Sequence, residues 1–280
     1  MSILGQVAVS GNNTGKRIVV AAAEKMGKTT FGTGAPGALL IPFEQGYDGV
    51  AVQHVPMLTE WAQVLQLQNE ITAAARAGKF PFRSLVMDSA TALEKLIHRY
   101  VLSMDPASAK NKALSMEAAH GGYGKAYGVA NNVFNEFLAW CDMLAINAGI
   151  NIVFTAHVFS SKVKDPLVGE YDSWDIQLHS PKDQKTYGKR EIIAQWADVI
   201  GYLHEPIIVT QTNNVHQAVS RGQGRVLAVE RSPSYIAGNR YGMRGTIPLP
   251  MPPANSWNAF AKGLYDATGS RIDIFNRERP

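Results

Sequence analysis

Residues 22–30 read Ala22-Ala23-Glu24-Lys25-Met26-Gly27-Lys28-Thr29-Thr30, directly after the apolar run Ile18-Val19-Val20-Ala21. A buried strand, a short loop and then Gly-Lys-Thr opening a helix is the arrangement by which a backbone wraps nucleotide phosphates. The N–H groups of the loop point inward, and the Lys28 ammonium reaches the β and γ phosphates. The Thr29 hydroxyl is placed to bind Mg²⁺. The candidate phosphate-binding residues are therefore Ala23, Glu24, Lys25, Met26, Gly27, Lys28, Thr29 and Thr30. Ala22 stands where such loops usually carry their first glycine, and a residue this small is tolerated there.

Three further residues end apolar runs and so fall at one edge of a sheet. Asp88 closes Leu85-Val86-Met87. Beside a phosphate loop, a carboxylate there holds Mg²⁺ together with Thr29; its other reading is a cap for the next helix, a role that Ser89 and Thr91 can also fill. Glu44 follows Leu39-Leu40-Ile41-Pro42-Phe43 and is placed to polarise the water that attacks the γ-phosphate. His157 follows Ile152-Val153-Phe154-Thr155-Ala156, where a polar side chain can sense the γ-phosphate and pass its state to the next segment.

Strands to position these groups are expected at 17–22, 38–43, 84–88 and 151–155, with a third short strand within 49–55. Further strands are expected near 199–203, 207–211 and 226–230. Helices are expected at 59–77 (capped by Thr59, with Trp61, Leu65 and Ile71 as its apolar stripe), 90–101, 129–147, 191–198 and 257–265. Strands that are continuous apolar runs, alternating with helices, predict an α/β fold with a mostly parallel, doubly wound sheet. Residues 1–15 read as an N-terminal arm, 16–250 as the core, and 251–280 as a C-terminal helix and tail. Residues 159–190 read as a loop far longer than an ordinary connection, which marks it as functional or disordered.

Of 280 residues, 46% are apolar and 18% charged, enough for a sizeable core. The formal charge of +4 permits a nucleic-acid partner without demanding one. A single cysteine, Cys141, excludes an internal disulfide, and with no paired histidines it argues against structural zinc. No run approaches 18 apolar residues and no secretory leader is visible, so no membrane partner and a cytoplasmic location are expected.

The order of these motifs resembles the RecA-like P-loop ATPases, and among them the phage nucleotide-binding proteins of the Sak type, which act in single-strand annealing and recombination. The resemblance covers about residues 16–250. It rests on the phosphate loop, Glu44-Gln45-Gly46-Tyr47-Asp48, Asp88-Ser89, the glycine-rich approach Gly121-Gly122-Tyr123-Gly124-Lys125-Ala126-Tyr127-Gly128, and Ala156-His157. It implies a RecA-like core that binds ATP and Mg²⁺ and forms a homo-oligomeric ring or filament. It also implies single-stranded DNA as a partner, with a single-strand-binding protein as a further one. Gly238-Asn239-Arg240-Tyr241-Gly242 resembles the segment whose basic residues reach a neighbouring subunit's nucleotide, with Arg240 matching the arginine and Gly238 replacing the lysine.

In such proteins two loops face DNA, here about 103–127 and 159–190. In the second, Lys162, Lys164, Lys185 and Lys189 are candidate phosphate contacts, although acids offset nearly all of its basic charge. The stretch 221–244, with Arg221, Arg225, Arg231, Arg240 and Arg244 against Glu230, is more basic. Alternative readings are a helicase or helicase loader, and an ATP-gated DNA-binding protein with negligible turnover. A phosphate-loop kinase of a small metabolite lacks the lid-like arginine cluster it would need.

Overall fold

The computed structural model describes residues 14–107, 115–181, 187–212, 215–220, 224–251 and 254–277. The expected N-terminal arm lies outside the described residues except for Thr14 and Gly15. The chain begins with β1 (Arg17–Ala22), α1 (Lys28–Thr33), β2 (Ala38–Pro42), β3 (Gln53–His54) and α2 (Trp61–Arg76). It continues through β4 (Ser84–Asp88), α3 (Ala90–Ser103), α4 (Lys125–Ala148), β5 (Asn151–Asp165) and β6 (Gly169–Ile176). Then come α5 (Lys189–Trp196), β7 (Val199–His204), β8 (Ile207–Thr212), β9 (Val215–Ser220) and β10 (Arg225–Ala228). The last elements are β11 (Gly238–Asn239), β12 (Thr246–Leu249) and α6 (Ser256–Ala267).

One sheet runs in the order β12-β10-β7-β1-β5-β4-β2-β3, with β11 added on β7 and β6 on β5. From β7 to β3 every neighbouring pair is parallel. β10 and β12 extend it antiparallel, and β8 and β9 form a separate hairpin. The apolar runs are buried on both faces, and alternate residues of β1 enter different cores: Val19 and Ala21 one, Ile18, Val20 and Ala22 the other. The first core is closed by α2, α3, α4 and α5 through residues such as Trp61, Leu93, Phe134 and Ile193. The second is closed by α1 and α6, where Phe31 meets Trp257 and Phe260 at ring separations of 5.5 and 5.8 Å. This is the RecA-like α/β core, with β5 inserted between the phosphate-loop strand and the Asp88 strand.

Two local expectations are corrected. The segment 159–190 is not an extended loop: β5 runs on to Asp165, turns at 166–168 and returns as β6, pairing from Val158↔Ile176 to Asp165↔Gly169. From Phe159 to Asp165 half-buried and exposed residues alternate, so neither face is fully buried. The cap of α2 is Glu60 rather than Thr59, because the Gln63 side chain turns back to accept the backbone N–H groups of both residues at 2.9 Å. The glycine-rich approach to α4 is a tight left-handed turn: His120, Gly121, Gly122, Tyr123 and Gly124 all have positive φ, and Tyr123 is 99% exposed.

Candidate nucleotide site

β1 and β4 end beside the middle of β5, because Ala22 is in register with His157 and Met87 with Phe154. These strand residues, the loop 23–27 and the residues after β2 enclose an open cleft of about 340 Å³. It is lined by Lys28, Thr29, Glu44, Asp88 and His157, among others. Residues drawn from positions 28 to 157 are therefore brought to one place by strand order.

Gly27, with φ 87°, turns the chain into α1. The Lys28 ammonium donates to the carbonyls of Ala22 and Ala23 at 3.1 and 2.8 Å. Burial lowers its pKa, countered by the charges of Asp88, Glu24 and Glu44. Thr29 Oγ1 donates to Asp88 Oδ2 at 2.7 Å, and Thr155 Oγ1 donates to the other oxygen, Asp88 Oδ1. Thr155 is a functional neighbour that sequence reasoning missed; its place two residues before His157 on a buried strand was the available signal.

Glu44 and His157 meet across the cleft, with Oε1 and Nε2 3.1 Å apart. That hydrogen bond, against the cost of burial and with help from Ser89 and the charge of Lys28, holds Glu44 below the usual carboxylate range. The His157 backbone N–H donates to Thr91 Oγ1 at 3.1 Å, fixing the strand end. His157 Nδ1 is buried and has no hydrogen-bond partner among the described residues; the nearest carboxylate oxygen, of Glu24, is 3.8 Å away.

The donor set fits a magnesium nucleotide. Among the described residues Lys28 has no carboxylate within ion-pair distance, which leaves its charge for phosphate. Thr29 and Asp88 supply one hydroxyl and one carboxylate, as a Mg²⁺ ion needs when phosphates and waters complete its shell. No group of three or more His, Cys, Asp or Glu among the described residues makes a self-sufficient metal cage.

Arg240 lies elsewhere. It follows β11, which runs antiparallel to β7, and so comes to the edge where β1 and β7 begin, opposite its own phosphate loop. There its guanidinium is 3.2 Å from Asp198 Oδ1 and also donates to the Gln195 carbonyl. Asp198 binds Arg17 as well, at 2.7 Å.

The candidate DNA-contacting lysines separate. Lys162 and Lys164 are exposed on the hairpin but stand opposite Asp172 and Glu170, and Lys164 is 3.3 Å from Glu170. Lys185 lies outside the described residues. The expectation for Lys189 is corrected: it is fully buried, 3.5 Å from Glu94 Oε1 and 3.1 Å from His98 Nε2. A buried ammonium paired to a carboxylate on α3 cannot also meet a phosphate backbone.

A parallel sheet whose strand ends present a Gly-Lys-Thr loop and an acidic residue beside it defines a P-loop ATPase of the RecA-like kind. A family model described as an AAA domain matches residues 14–241, and the chain belongs to that family. It is also similar to the SPbeta prophage-derived uncharacterized protein YorG of Bacillus subtilis (strain 168), at 25% identity over 149 residues, 53% of this chain and 42% of that protein. The chain thus spans less than half the length of that relative. No described helix is long and apolar enough to cross a membrane.

Proposed function

We propose that this protein hydrolyses ATP with Mg²⁺ and assembles on single-stranded DNA during phage recombination or annealing. The observation that carries the hydrolytic part is the convergence of Lys28, Thr29, Asp88, Glu44 and His157 on one cleft. Lys28 and the loop backbone hold the phosphates, Thr29 and Asp88 hold the metal, and Glu44 orients the attacking water. A Mg²⁺ ion held by Thr29 and Asp88 would supply charge neutralisation to the phosphates. His157, bonded to Glu44 on one nitrogen and, among the described residues, without a hydrogen-bond partner on the other, senses the γ-phosphate. Arg240 acts on a neighbouring subunit's nucleotide after leaving Asp198.

The DNA part draws support from the prophage origin of the relative and from the turn before α4. That turn holds Tyr123 out in solvent beside exposed Lys125, a stacking surface next to a cation. The deciding experiment is the ATPase rate with and without single-stranded DNA, with particle images of the same sample. DNA-stimulated turnover in assembled particles is expected; turnover indifferent to DNA would sink the DNA part, and no turnover the hydrolytic part.

One observation favours a second reading, an ATP-gated annealing protein with negligible turnover. One oxygen of the Glu44 carboxylate, Oε1, is already engaged by His157, which leaves less of the group to orient water. Annealing that persists in Glu44→Gln at the parent rate would select this reading.

A further inference from the structure

Arg225 reaches the phosphate loop from two strands away along the same edge of the sheet. At the start of β10, paired with Leu249 of β12, it sends its guanidinium across to the loop, and Nη1 donates to the Met26 carbonyl at 2.9 Å. The contact is close: a Cβ on Gly27 would lie 2.2 Å from Nη1. Leu203, Leu249, Met251 and Thr30 line the narrow space around it. The donor and acceptor are 199 positions apart in sequence.

The chemistry follows from the peptide plane. In a trans peptide the C=O of one residue and the N–H of the next point in opposite directions. Arg225 holds the Met26 carbonyl, so the Gly27 N–H faces away from Arg225, and Gly27 also lines the cleft that holds Lys28. Gly27 is the residue most free to rotate, having no Cβ and a positive φ. Without an anchor, that peptide samples orientations in which its N–H is lost to a bound anion.

We propose that Arg225 is a positioning residue for phosphate binding: by holding the Met26 carbonyl it presets the Gly27 N–H as a donor to the nucleotide's phosphates. The proposal rests on the nucleotide-binding reading of the cleft. It needs no contact between Arg225 and the base or ribose, and it separates Arg225 from the DNA-facing and intersubunit roles suggested by the basic stretch 221–244.

The test is binding of ATP and of inorganic tripolyphosphate, measured by calorimetry on the full chain. Arg225→Met keeps the aliphatic packing and removes the donor. It is expected to weaken both ligands by the same factor, about tenfold, as befits loss of one charge-assisted hydrogen bond. Arg225→Lys, which restores a donor, is expected to recover most of that loss. Amide exchange at 23–30 in the nucleotide-free protein is expected to quicken in Arg225→Met while the melting temperature holds. Unchanged binding of both ligands overturns the proposal, and so does loss of ATP binding with tripolyphosphate binding intact, which would put Arg225 on the nucleoside. If the parent protein binds neither ligand and matches Lys28→Ala, the nucleotide reading itself fails.

Discussion

On the proposed reading Lys28 is the side chain on which phosphate affinity most depends, because its two carbonyl partners orient the ammonium without neutralising it. Lys28→Ala is expected to fold normally and to lose ATP affinity or turnover; a parent-level ATPase rate in this variant would remove the phosphate-loop reading. Glu44 and Asp88 separate by the step they serve. Glu44→Gln is expected to bind ATP and to hydrolyse it on the order of 10²–10⁴ times more slowly in a single-turnover assay, the usual worth of a positioned base. Asp88→Asn is expected to raise the Mg²⁺ concentration needed for half-maximal activity. Thr155→Val tests the support of that carboxylate: one buried acceptor loses its donor, and about 1–3 kcal/mol of unfolding free energy is expected to go with it.

Among the elements, α3, α5 and the residues after β6 share a buried polar cluster of Glu94, His98, Lys189 and His179, with Glu117 nearby. Burial, helped by the neighbouring Lys189 and His179, holds the His98 pKa down to about 3. Unfolded histidine titrates near 6.5. Between those values the unfolded chain takes up a proton that the folded chain refuses, so the stability tied to neutral His98 is intact above about pH 6.5. It is lost as pH falls toward 3, with a slope of at most about 1.4 kcal/mol per pH unit. Urea unfolding at pH 7.5 and 5.5 is expected to show a fall in stability that His98→Gln makes shallower by about 1 kcal/mol over that interval. An equal fall in both proteins would mean that His98 protonates freely in the fold. The hairpin β5–β6 carries a second expectation. Lys162 and Lys164 face acids, so changing both to Ala is expected to alter the salt slope of single-strand binding, read by anisotropy of a labelled oligonucleotide, by less than about one unit.

These elements also show what a sequence reveals and what it hides. The strand that leads to Lys28 and those that carry Asp88 and His157 are legible because burial on both faces writes them as unbroken apolar runs. The hairpin is not, because neither of its faces is fully buried and its residues read as polar loop; the Asp165-Pro166 and Gly169 turn was its only local mark. Lys189 sits beside Arg190 and looks like surface charge until Glu94, 95 positions earlier, is folded against it. Arg225 and Met26 pair across 199 positions and Thr155 and Asp88 across 67, and no local pattern announces either.

For the whole molecule, the phosphate cleft and Arg240 occupy opposite edges of one sheet, so a single subunit cannot bring them together. The Arg240 guanidinium is half exposed, and the buried Asp198 keeps Arg17 as a partner when Arg240 is removed. Arg240→Ala is therefore expected to keep its melting temperature nearly unchanged and to keep ATP binding. If Arg240 acts across an interface, specific ATPase activity rises with protein concentration in the parent and does not in Arg240→Ala. Mixing Arg240→Ala with Lys28→Ala then restores part of the activity, because some interfaces join an intact Lys28 to an intact Arg240. No recovery in subunits shown to co-assemble would leave Arg240 as an anchor for the start of β7.

β5 is one unbroken strand from the floor of the sheet through His157 to the hairpin tip at Asp165. From the histidine to the tip are eight residues, about 27 Å of stiff ribbon. A tilt of about 5° at the histidine end would swing the far end by about 2 Å, which makes the hairpin a pointer rooted beside the candidate cleft. Leu167 and Val168, 93% and 75% exposed, are what that pointer carries.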